Sequence, residues 1–221
     1  MNMSETPLDW MAIAEQRLHT PVIGDVLDAI GRHHQFLSPR LRPLHPSKRL
    51  VGRAMPVLIS DTFGIPARPF GRLTEALDSL QSGEIYLARS GRAECAAWGE
   101  ILTATARARG AHGAVIDGYH RDTHAVLAQD WPVFSHGAFA QDAGARAEVV
   151  DFRIPVEIDG VAVQPGDLIV GDIDGVVVIP QAVELEVLER ALTKVQAEAR
   201  TRAAIESGMS STTAYETFGV L

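Results

Sequence analysis

The sequence predicts an α/β fold with an appended C-terminal helix, and three observations support this class. Residues 98–109 have helical periodicity, and a short apolar run between glycines follows at 113–117, which is typical of a buried strand. From residue 149 onward, apolar and polar residues alternate and turn residues recur at short intervals, as in β-hairpins. Residues 181–206 form a long, charged amphipathic segment, as expected for a surface helix.

Local signals define the elements of the N-terminal half. Thr20 and Pro21 have the pattern of an N-cap followed by the first residue of a helix, which Gly31 would end. Pro56 lies inside a strand predicted at 53–60 and indicates a sheet edge or a bulge, because proline has no N–H to donate. The other predicted elements are helices at residues 8–18, 70–80 and 98–109 and strands at 84–88, 113–117 and 131–135.

Turn residues divide the C-terminal half. Asp159 and Gly160 predict a two-residue hairpin turn, and further turns are predicted at 164–167 and 172–175. The sequence contains no repeat, low-complexity stretch or flexible linker. We therefore predict one domain over residues 1–221. Its N-terminal helix would lie within 1–20, and a helical extension would occupy 181–221.

Composition excludes several classes of function. The chain has 221 residues and a net charge of −8, so it has no electrostatic attraction to nucleic acid or to anionic lipid. No apolar run approaches the roughly 20 residues that span a bilayer, and no secretory signal is visible. Cys95 is the single cysteine, which excludes an internal disulfide and a multi-cysteine zinc site. We expect a cytoplasmic protein that binds neither nucleic acid nor membrane.

The adjacent charges of Arg121 and Asp122 are the main candidate for chemistry. They follow the predicted strand at 113–117, and α/β proteins bind ligands beyond the carboxyl ends of strands. The guanidinium suits a substrate carboxylate, and the carboxylate suits a divalent cation. A surface salt bridge is the alternative. His120 completes a kinase-like His-Arg-Asp, but the partner motifs of kinases are missing.

Three further features bear on the chemistry. His120 and His124, with Asp122 between them, could form a metal site or could be ordinary polar loop residues. The segment 98–102 opens a predicted helix, whose free N–H groups can bind an anion. Lys48 and Lys194 are the only lysines, and neither lies in an apolar stretch that favours Schiff-base chemistry. A reaction on a 2-oxo acid would therefore depend on a metal.

Five segments, in this order, resemble the family named for the regulator of ribonuclease activity A. That family includes the 4-hydroxy-4-methyl-2-oxoglutarate aldolases, also called 4-carboxy-4-hydroxy-2-oxoadipate aldolases. The similarity extends from about Thr20 to Leu221. Its strongest parts are residues 97–102 (AWGEIL), 113–118 (GAVIDG) with Arg121 and Asp122, 131–134 (WPVF), 163–167 (VQPGD) and 174–180 (DGVVVIP).

The resemblance implies a layered α/β/β fold of the RraA-like, swivelling-domain type, assembled as a homotrimer or a hexamer. It also implies a class II aldolase that uses Mg²⁺ or Mn²⁺, releases pyruvate from a small 2-oxo acid and decarboxylates oxaloacetate. In such an enzyme Asp122 would hold the metal, and Arg121 would hold the carboxylate and carbonyl of pyruvate. The backbone N–H groups that would bind the same carboxylate belong to Gly99, Glu100, Ile101 and Leu102.

Two departures from the family pattern keep a second hypothesis open. Family aldolases often carry an acidic residue where this chain has Ala125, and often a small residue where it has His120. The chain could therefore be a lyase for a different 2-oxo or hydroxy acid, or a non-catalytic regulator that binds a ribonuclease. The long helix predicted at 181–206 favours the enzyme, because the regulators are generally shorter.

Overall fold

The computed structural model describes residues 9–64, 66 and 68–220, in which helices surround one large sheet and two small ones. The helices are α1 Trp10–Arg17, α2 Thr20–Ala29, α3 Leu73–Asp78, α4 Glu100–Ala108, α5 Thr123–Ala128, α6 Glu184–Glu206 and α7 Ser211–Phe218, and a 3₁₀ turn at Gln181–Val183 precedes α6. The strands are β1 Arg42–Pro43, β2 Leu50–Asp61, β3 Glu84–Arg89, β4 Ala96–Trp98, β5 Gly113–Asp117, β6 Tyr119–His120, β7 Val133–Ser135, β8 Ala147–Phe152, β9 Val156–Ile158, β10 Val161–Val163, β11 Leu168–Asp172 and β12 Gly175–Ile179.

The large sheet has eight strands and is nearly closed. Its order is β1-β7-β5-β3-β2-β11-β12, and β8 pairs with the second half of β2. The neighbours β7, β5, β3 and β2 are parallel, whereas the other pairs are antiparallel. Arg42 on β1 donates hydrogen bonds to the carbonyls of Ile173 and Asp174, in the turn between β11 and β12. The two ends of the sheet therefore meet, and the predicted α/β class is confirmed.

Strand β2 lies in the middle of this sheet, so the edge position suggested by Pro56 is wrong. On one side, residues Arg53–Leu58 of β2 pair with β3. On the other side, β11 pairs with Leu50–Arg53 and β8 with Val57–Asp61. Pro56 lies between these two partners, where no ladder hydrogen bond from its nitrogen is required. The bulge occurs instead between Leu58 and Ile59. Pro56 therefore lies where β2 changes its partner from β11 to β8.

The segment before α3 differs from the prediction of a helix over residues 70–80. Helix α3 begins only at Leu73, because Phe70 has a left-handed backbone with φ 62°. The carbonyl of Phe70 accepts a hydrogen bond from the Val149 N–H on β8, at 3.1 Å. This conformation is uncommon for a bulky residue and costs on the order of 1–3 kcal/mol. The contact with β8 holds the segment outside the helix.

The long C-terminal helix packs on the N-terminal helices, and the predicted extension is observed as α6 and α7. Val187, Leu188 and Ala191 of α6 are buried against a cluster that includes Val22 and Val26 of α2. Lys194 of α6 lies 3.1 Å from Asp25 of α2. The hairpin turn at Asp159–Gly160 is also observed, with positive φ at both residues. None of the helices in the described ranges is long and apolar enough to cross a membrane.

Thr20 does not cap α2 with its side chain, contrary to the prediction. The N-cap is His19, and the Thr20 hydroxyl donates instead to Asp172 Oδ1 at 2.7 Å. The Thr20 N–H donates to Asp172 Oδ2, also at 2.7 Å. Both residues are buried, so the carboxylate at the end of β11 ties α2 to the sheet.

We expect Thr20→Val to lower the free energy of unfolding by about 1–3 kcal/mol, because it removes the hydroxyl donor to a buried carboxylate. Chemical denaturation monitored by circular dichroism measures the change. Thr193→Val is the matched control, since Thr193 is exposed and donates only to the Glu189 carbonyl within α6. Equal stability of the two variants would contradict the importance of this bond.

Candidate functional site

Arg121 and Asp122 form the connection between β6 and α5. The small parallel pair β4–β6 places this connection beside the start of α4, since Trp98 pairs with His120. The Arg121 N–H donates to the Trp98 carbonyl at 2.9 Å. Asp122 has a left-handed backbone with φ 58°, which aspartate tolerates better than most residues. The predicted Arg-Asp pair and the predicted helix start at 98–102 are therefore neighbours.

The Asp122 carboxylate lies directly on the N-terminus of α4. Its Oδ2 atom accepts a hydrogen bond from the Glu100 N–H at 3.3 Å. A Cβ atom at Gly99 would lie only 2.6 Å from the same oxygen, so a side chain at 99 would displace the carboxylate. The N–H groups of Ile101 and Leu102 belong to the first turn of α4, which has no intrahelical acceptors for them. This helix end favours negative charge from a side chain or from a ligand.

Arg121 extends from this point toward Asp142. Its Nη1 atom lies 3.1 Å from Asp142 Oδ1, and its Nε atom lies 3.7 Å from Asp122 Oδ2. All three side chains are about 40% exposed, so a ligand can reach them from solvent. Asp142 was not predicted from the sequence, because it lies in a loop that is distant from Arg121 and Asp122 along the chain and belongs to no motif. The loop is itself held, since Asp142 Oδ2 accepts from the Gly144 N–H at 3.1 Å.

Buried polar contacts fix the start of α4. The Trp98 indole N–H donates to the Thr103 hydroxyl at 2.8 Å, and that hydroxyl donates to the Gly99 carbonyl at 2.9 Å. Trp98 and Thr103 are both buried. From the other side, the Gln129 amide donates to the Glu100 carbonyl at 3.0 Å. Because these hydrogen bonds fix the start of α4 from two sides, the N–H groups of its first turn point in defined directions.

These residues line a cleft of about 440 Å³ between α3 and α4. One end carries Arg121, Asp122 and Asp142. Much of the remaining lining is apolar and includes Phe70, Leu73, Leu77, Ile101 and Leu102, although Asp78 and Glu100 also contribute to it. This volume accommodates a small organic acid.

A second cavity, of about 490 Å³, lies at the carboxyl ends of the parallel strands. Arg89 ends β3 and Asp117 ends β5, whereas Ser90 and His136 directly follow β3 and β7. His136 Nε2 lies 3.2 Å from Asp117 Oδ1. Exposed arginines and carboxylates surround this cavity without a single dominant sign of charge. We place the candidate site in the first cleft, where the guanidinium, the carboxylate and the helix N-terminus face one space.

The structure excludes a two-histidine metal site around Asp122. His120 is buried, and its Nδ1 and Nε2 atoms lie 2.8 Å from Ser135 Oγ and 3.1 Å from Thr123 Oγ1. Burial lowers the pKa of His120, which favours the neutral ring. His124 is exposed, and no group of three histidine, cysteine or acidic side chains in the described ranges could hold a metal. Both imidazole nitrogens of His120 thus have structural partners.

The donor set does fit a hard cation that keeps most of its water. Mg²⁺ and Mn²⁺ bind through one or two carboxylates together with water and substrate oxygens. The Asp122 carboxylate is accessible, and Asp78, Glu100 and Asp142 add negative charge to the lining of the cleft. A tetrahedral zinc site of histidine and cysteine ligands does not fit, because Cys95 is buried outside this cleft.

The lysines offer no alternative chemistry. Lys48 Nζ lies 2.7 Å from Asp130, and Lys194 Nζ lies 3.1 Å from Asp25. Neither lysine lines the cleft. An imine mechanism through an unpaired buried lysine therefore has no residue to carry it.

Comparison with known protein families gives a match to the RraA-like family described as Aldolase/RraA, over residues 20–178. The chain is 29% identical, over 94% of both sequences, to a protein of Halalkalibacterium halodurans named "Putative 4-hydroxy-4-methyl-2-oxoglutarate aldolase". It is 30% identical over 189 residues to the protein DlpA of Legionella pneumophila. That match covers 84% of this chain but only 30% of DlpA.

A solved structure extends the comparison to the whole chain. A crystal structure of an uncharacterized protein from Pseudomonas syringae pv. tomato superposes with a TM-score of 0.84 and 34% sequence identity, over 99% of both chains. Together with the RraA-like match over residues 20–178, this superposition confirms the RraA-like fold predicted from the sequence.

Proposed function

The chain belongs to the RraA-like, Aldolase/RraA family, and on this premise we propose that it is a divalent-metal-dependent carbon–carbon lyase. The proposed active site is the cleft between α3 and α4. One observation carries the proposal: the Arg121 guanidinium, the Asp122 carboxylate and the free N–H groups of α4 converge on one small cleft. The substrates are 4-hydroxy-2-oxo acids, such as 4-hydroxy-4-methyl-2-oxoglutarate or 4-carboxy-4-hydroxy-2-oxoadipate. Cleavage gives pyruvate, and oxaloacetate decarboxylation is the expected side activity.

Each group has a defined role in this proposal. Arg121 binds the carboxylate and the 2-oxo oxygen of the substrate, and the N–H groups of Ile101 and Leu102 donate to the same carboxylate. Asp122 would hold Mg²⁺ or Mn²⁺. When bound, such a cation would supply Lewis-acid stabilisation of the negative charge that develops on the 2-oxo oxygen of the substrate. Trp98 and Thr103 keep the helix N-terminus oriented during the reaction.

The quaternary structure belongs to the same proposal. We expect a homotrimer or a hexamer, in which a neighbouring subunit borders the cleft. The exposed apolar side chain of Ile101, at 75% accessibility beside the cleft, supports a contact there.

The test is pyruvate release from oxaloacetate and from 4-carboxy-4-hydroxy-2-oxoadipate, measured in EDTA and after Mg²⁺ or Mn²⁺ is restored. We expect release only with the metal. No release with any metal would refute the lyase. It would direct attention to the ribonuclease regulator, which a binding assay with the purified ribonuclease would test.

A further inference from the structure

The proposed reaction needs a group that accepts a proton from the substrate. Cleavage turns the C4 hydroxyl of a 4-hydroxy-2-oxo acid into a carbonyl, so this hydroxyl loses its proton as the C3–C4 bond breaks. Asp122 is assigned to the cation, and the Arg121 guanidinium stays protonated and cannot act as a base. The residues assigned so far therefore leave this role open, and the inference that follows rests on the proposed function.

Asp142 is the unassigned carboxylate nearest to the residue that would bind the 2-oxo group. The acidic residues of the cleft lining are Asp78, Glu100, Asp122 and Asp142. In the described part of the chain, only Asp122 and Asp142 form ion pairs with Arg121, at 3.7 Å and 3.1 Å. Asp78 pairs instead with Arg109, at 2.5 Å. The geometry therefore favours Asp142 over the other acidic side chains.

The structure of the substrate brings its C4 hydroxyl to the same place. The hydroxyl and the 2-oxo oxygen are borne by C4 and C2, so the two oxygens can approach to about the length of a hydrogen bond, roughly 2.8 Å. Arg121 would hold the 2-oxo oxygen, and Asp142 Oδ1 lies 3.1 Å from Nη1 of that guanidinium. A hydroxyl that is folded toward the 2-oxo oxygen thus comes within reach of Asp142.

The loop around Asp142 holds this carboxylate in place. Asp142 Oδ2 accepts a hydrogen bond from the Gly144 N–H at 3.1 Å. The Ala96 N–H on β4 donates to the Gln141 carbonyl at 2.7 Å, and Arg146 Nη1 donates to the Asp142 carbonyl at 3.1 Å. The Asp142 side chain is nevertheless 41% exposed. Because a carboxylate has about four acceptor sites, it can still accept a bond from a substrate hydroxyl.

We propose that Asp142 is the proton acceptor for the C4 hydroxyl, and so a catalytic residue in addition to Arg121 and Asp122. The C3–C4 bond breaks, and its electron pair remains on C3 as the enolate of pyruvate. The hydroxyl proton moves to the Asp142 carboxylate, and C4 becomes the carbonyl carbon of the second product. C3 then takes a proton from water, and Asp142 returns its proton to the solvent. The reaction balances without a further reactant.

The decisive test compares two reactions that share the enolate but differ in their need for this acceptor. Decarboxylation of oxaloacetate also leaves the enolate of pyruvate, but no hydroxyl is deprotonated. In Asp142→Asn, kcat/KM for cleavage of 4-hydroxy-4-methyl-2-oxoglutarate should fall at least about 100-fold, the usual contribution of a positioned base. Decarboxylation should fall much less, so the ratio of cleavage to decarboxylation should drop at least about tenfold. An unchanged ratio would overturn the proposal.

Asp151→Asn is the matched control. The Asp151 side chain is also 41% exposed and pairs with an arginine, at 2.6 Å from Arg72 Nη1. It accepts a backbone N–H as well, from Phe152 at 2.9 Å, but it does not line the cleft. This variant should keep the wild-type ratio. Circular dichroism and gel filtration would verify that both variants are folded, and an equal drop of the ratio in the control would contradict a specific role of Asp142.

Two further readouts separate proton transfer from a structural role. In Asp142→Ala, added formate should raise the rate of cleavage at least about tenfold, because a small carboxylate can replace the missing base. Oxalate resembles the enolate of pyruvate, and calorimetry with Mn²⁺ present should show that it binds Asp142→Asn at least as tightly as the wild type. Absence of rescue by formate, or a loss of oxalate binding as large as the loss of cleavage, would overturn the proposal.

Failure of this inference is distinguishable from failure of the proposed function. If the wild type releases pyruvate from both substrates and the ratio is unchanged in Asp142→Asn, only the role of Asp142 is refuted. If the wild type releases no pyruvate from either substrate with Mg²⁺ or Mn²⁺, the lyase itself is refuted.

Discussion

Asp122→Asn should abolish metal-dependent pyruvate release, with kcat/KM at least about 100-fold lower, on the order of 3 kcal/mol of transition-state stabilisation. The substitution removes the charge that holds the cation but keeps nearly the same side-chain volume beside Gly99. Asparagine also tolerates the left-handed backbone at this position. The fold should therefore persist, and circular dichroism together with gel filtration would show this.

Asp130→Asn is a matched control for this change. Asp130 is also an aspartate with a left-handed backbone, at φ 51°, and it lies just after α5. Its carboxylate is exposed and pairs with Lys48 outside the cleft. The control should retain full activity. If Asp122→Asn were as active as the control over a range of metal concentrations, the metal would have to bind elsewhere.

Arg121→Ala should reduce kcat/KM for any 2-oxo acid by at least about 100-fold, again on the order of 3 kcal/mol or more. The guanidinium is the only cation in the described lining that can bind the substrate carboxylate. Its loss also leaves Asp142 without its partner at 3.1 Å, which adds negative charge to the cleft. Steady-state kinetics with oxaloacetate measures the effect.

Two further variants sharpen the assignment of Arg121. Arg121→Lys keeps the charge but not the planar pair of donors, so its activity should lie between the wild type and Arg121→Ala. Arg190→Ala is the control, since Arg190 pairs with Glu186 on the exposed face of α6, outside the cleft. A loss confined to KM at constant kcat would show that Arg121 binds substrate and transition state equally. Wild-type activity in Arg121→Ala would remove it from the site.

Local sequence signals predicted most of the longer elements, but not the short strands β4 and β6 or the helix α5. The strand β5 and the hairpin turn at Asp159–Gly160 follow from short patterns whose physical cause is local. Arg121, Asp122 and the segment 99–102 were predictable as site candidates because two contiguous motifs supply them. That they face each other depends on the pairing of β4 with β6, which involves only a few residues.

Contacts across long sequence separations were not predictable in the same way. The bond between Thr20 and Asp172 joins residues 152 positions apart, and local propensity instead suggested a side-chain cap at Thr20. Pro56 indicated an edge because proline lacks an N–H, yet the strand changes partner at that residue. Asp142 and Phe70 belong to no motif, and only the folded chain brings them into the same cleft as Arg121. Such features depend on tertiary structure that periodicity does not encode.

The change of partner along β2 has a consequence for how the chain folds during synthesis. Residues 50–61 are made early, but their outer edge is covered only by residues 147–152 and 168–171. Until the ribosome has released those residues, a twelve-residue apolar strand presents an unpaired edge, which is a template for association with other chains. The sheet also depends on contacts between distant parts of the sequence, which slow folding. We therefore expect the nascent chain to be most prone to aggregation while only its first two thirds have left the ribosome.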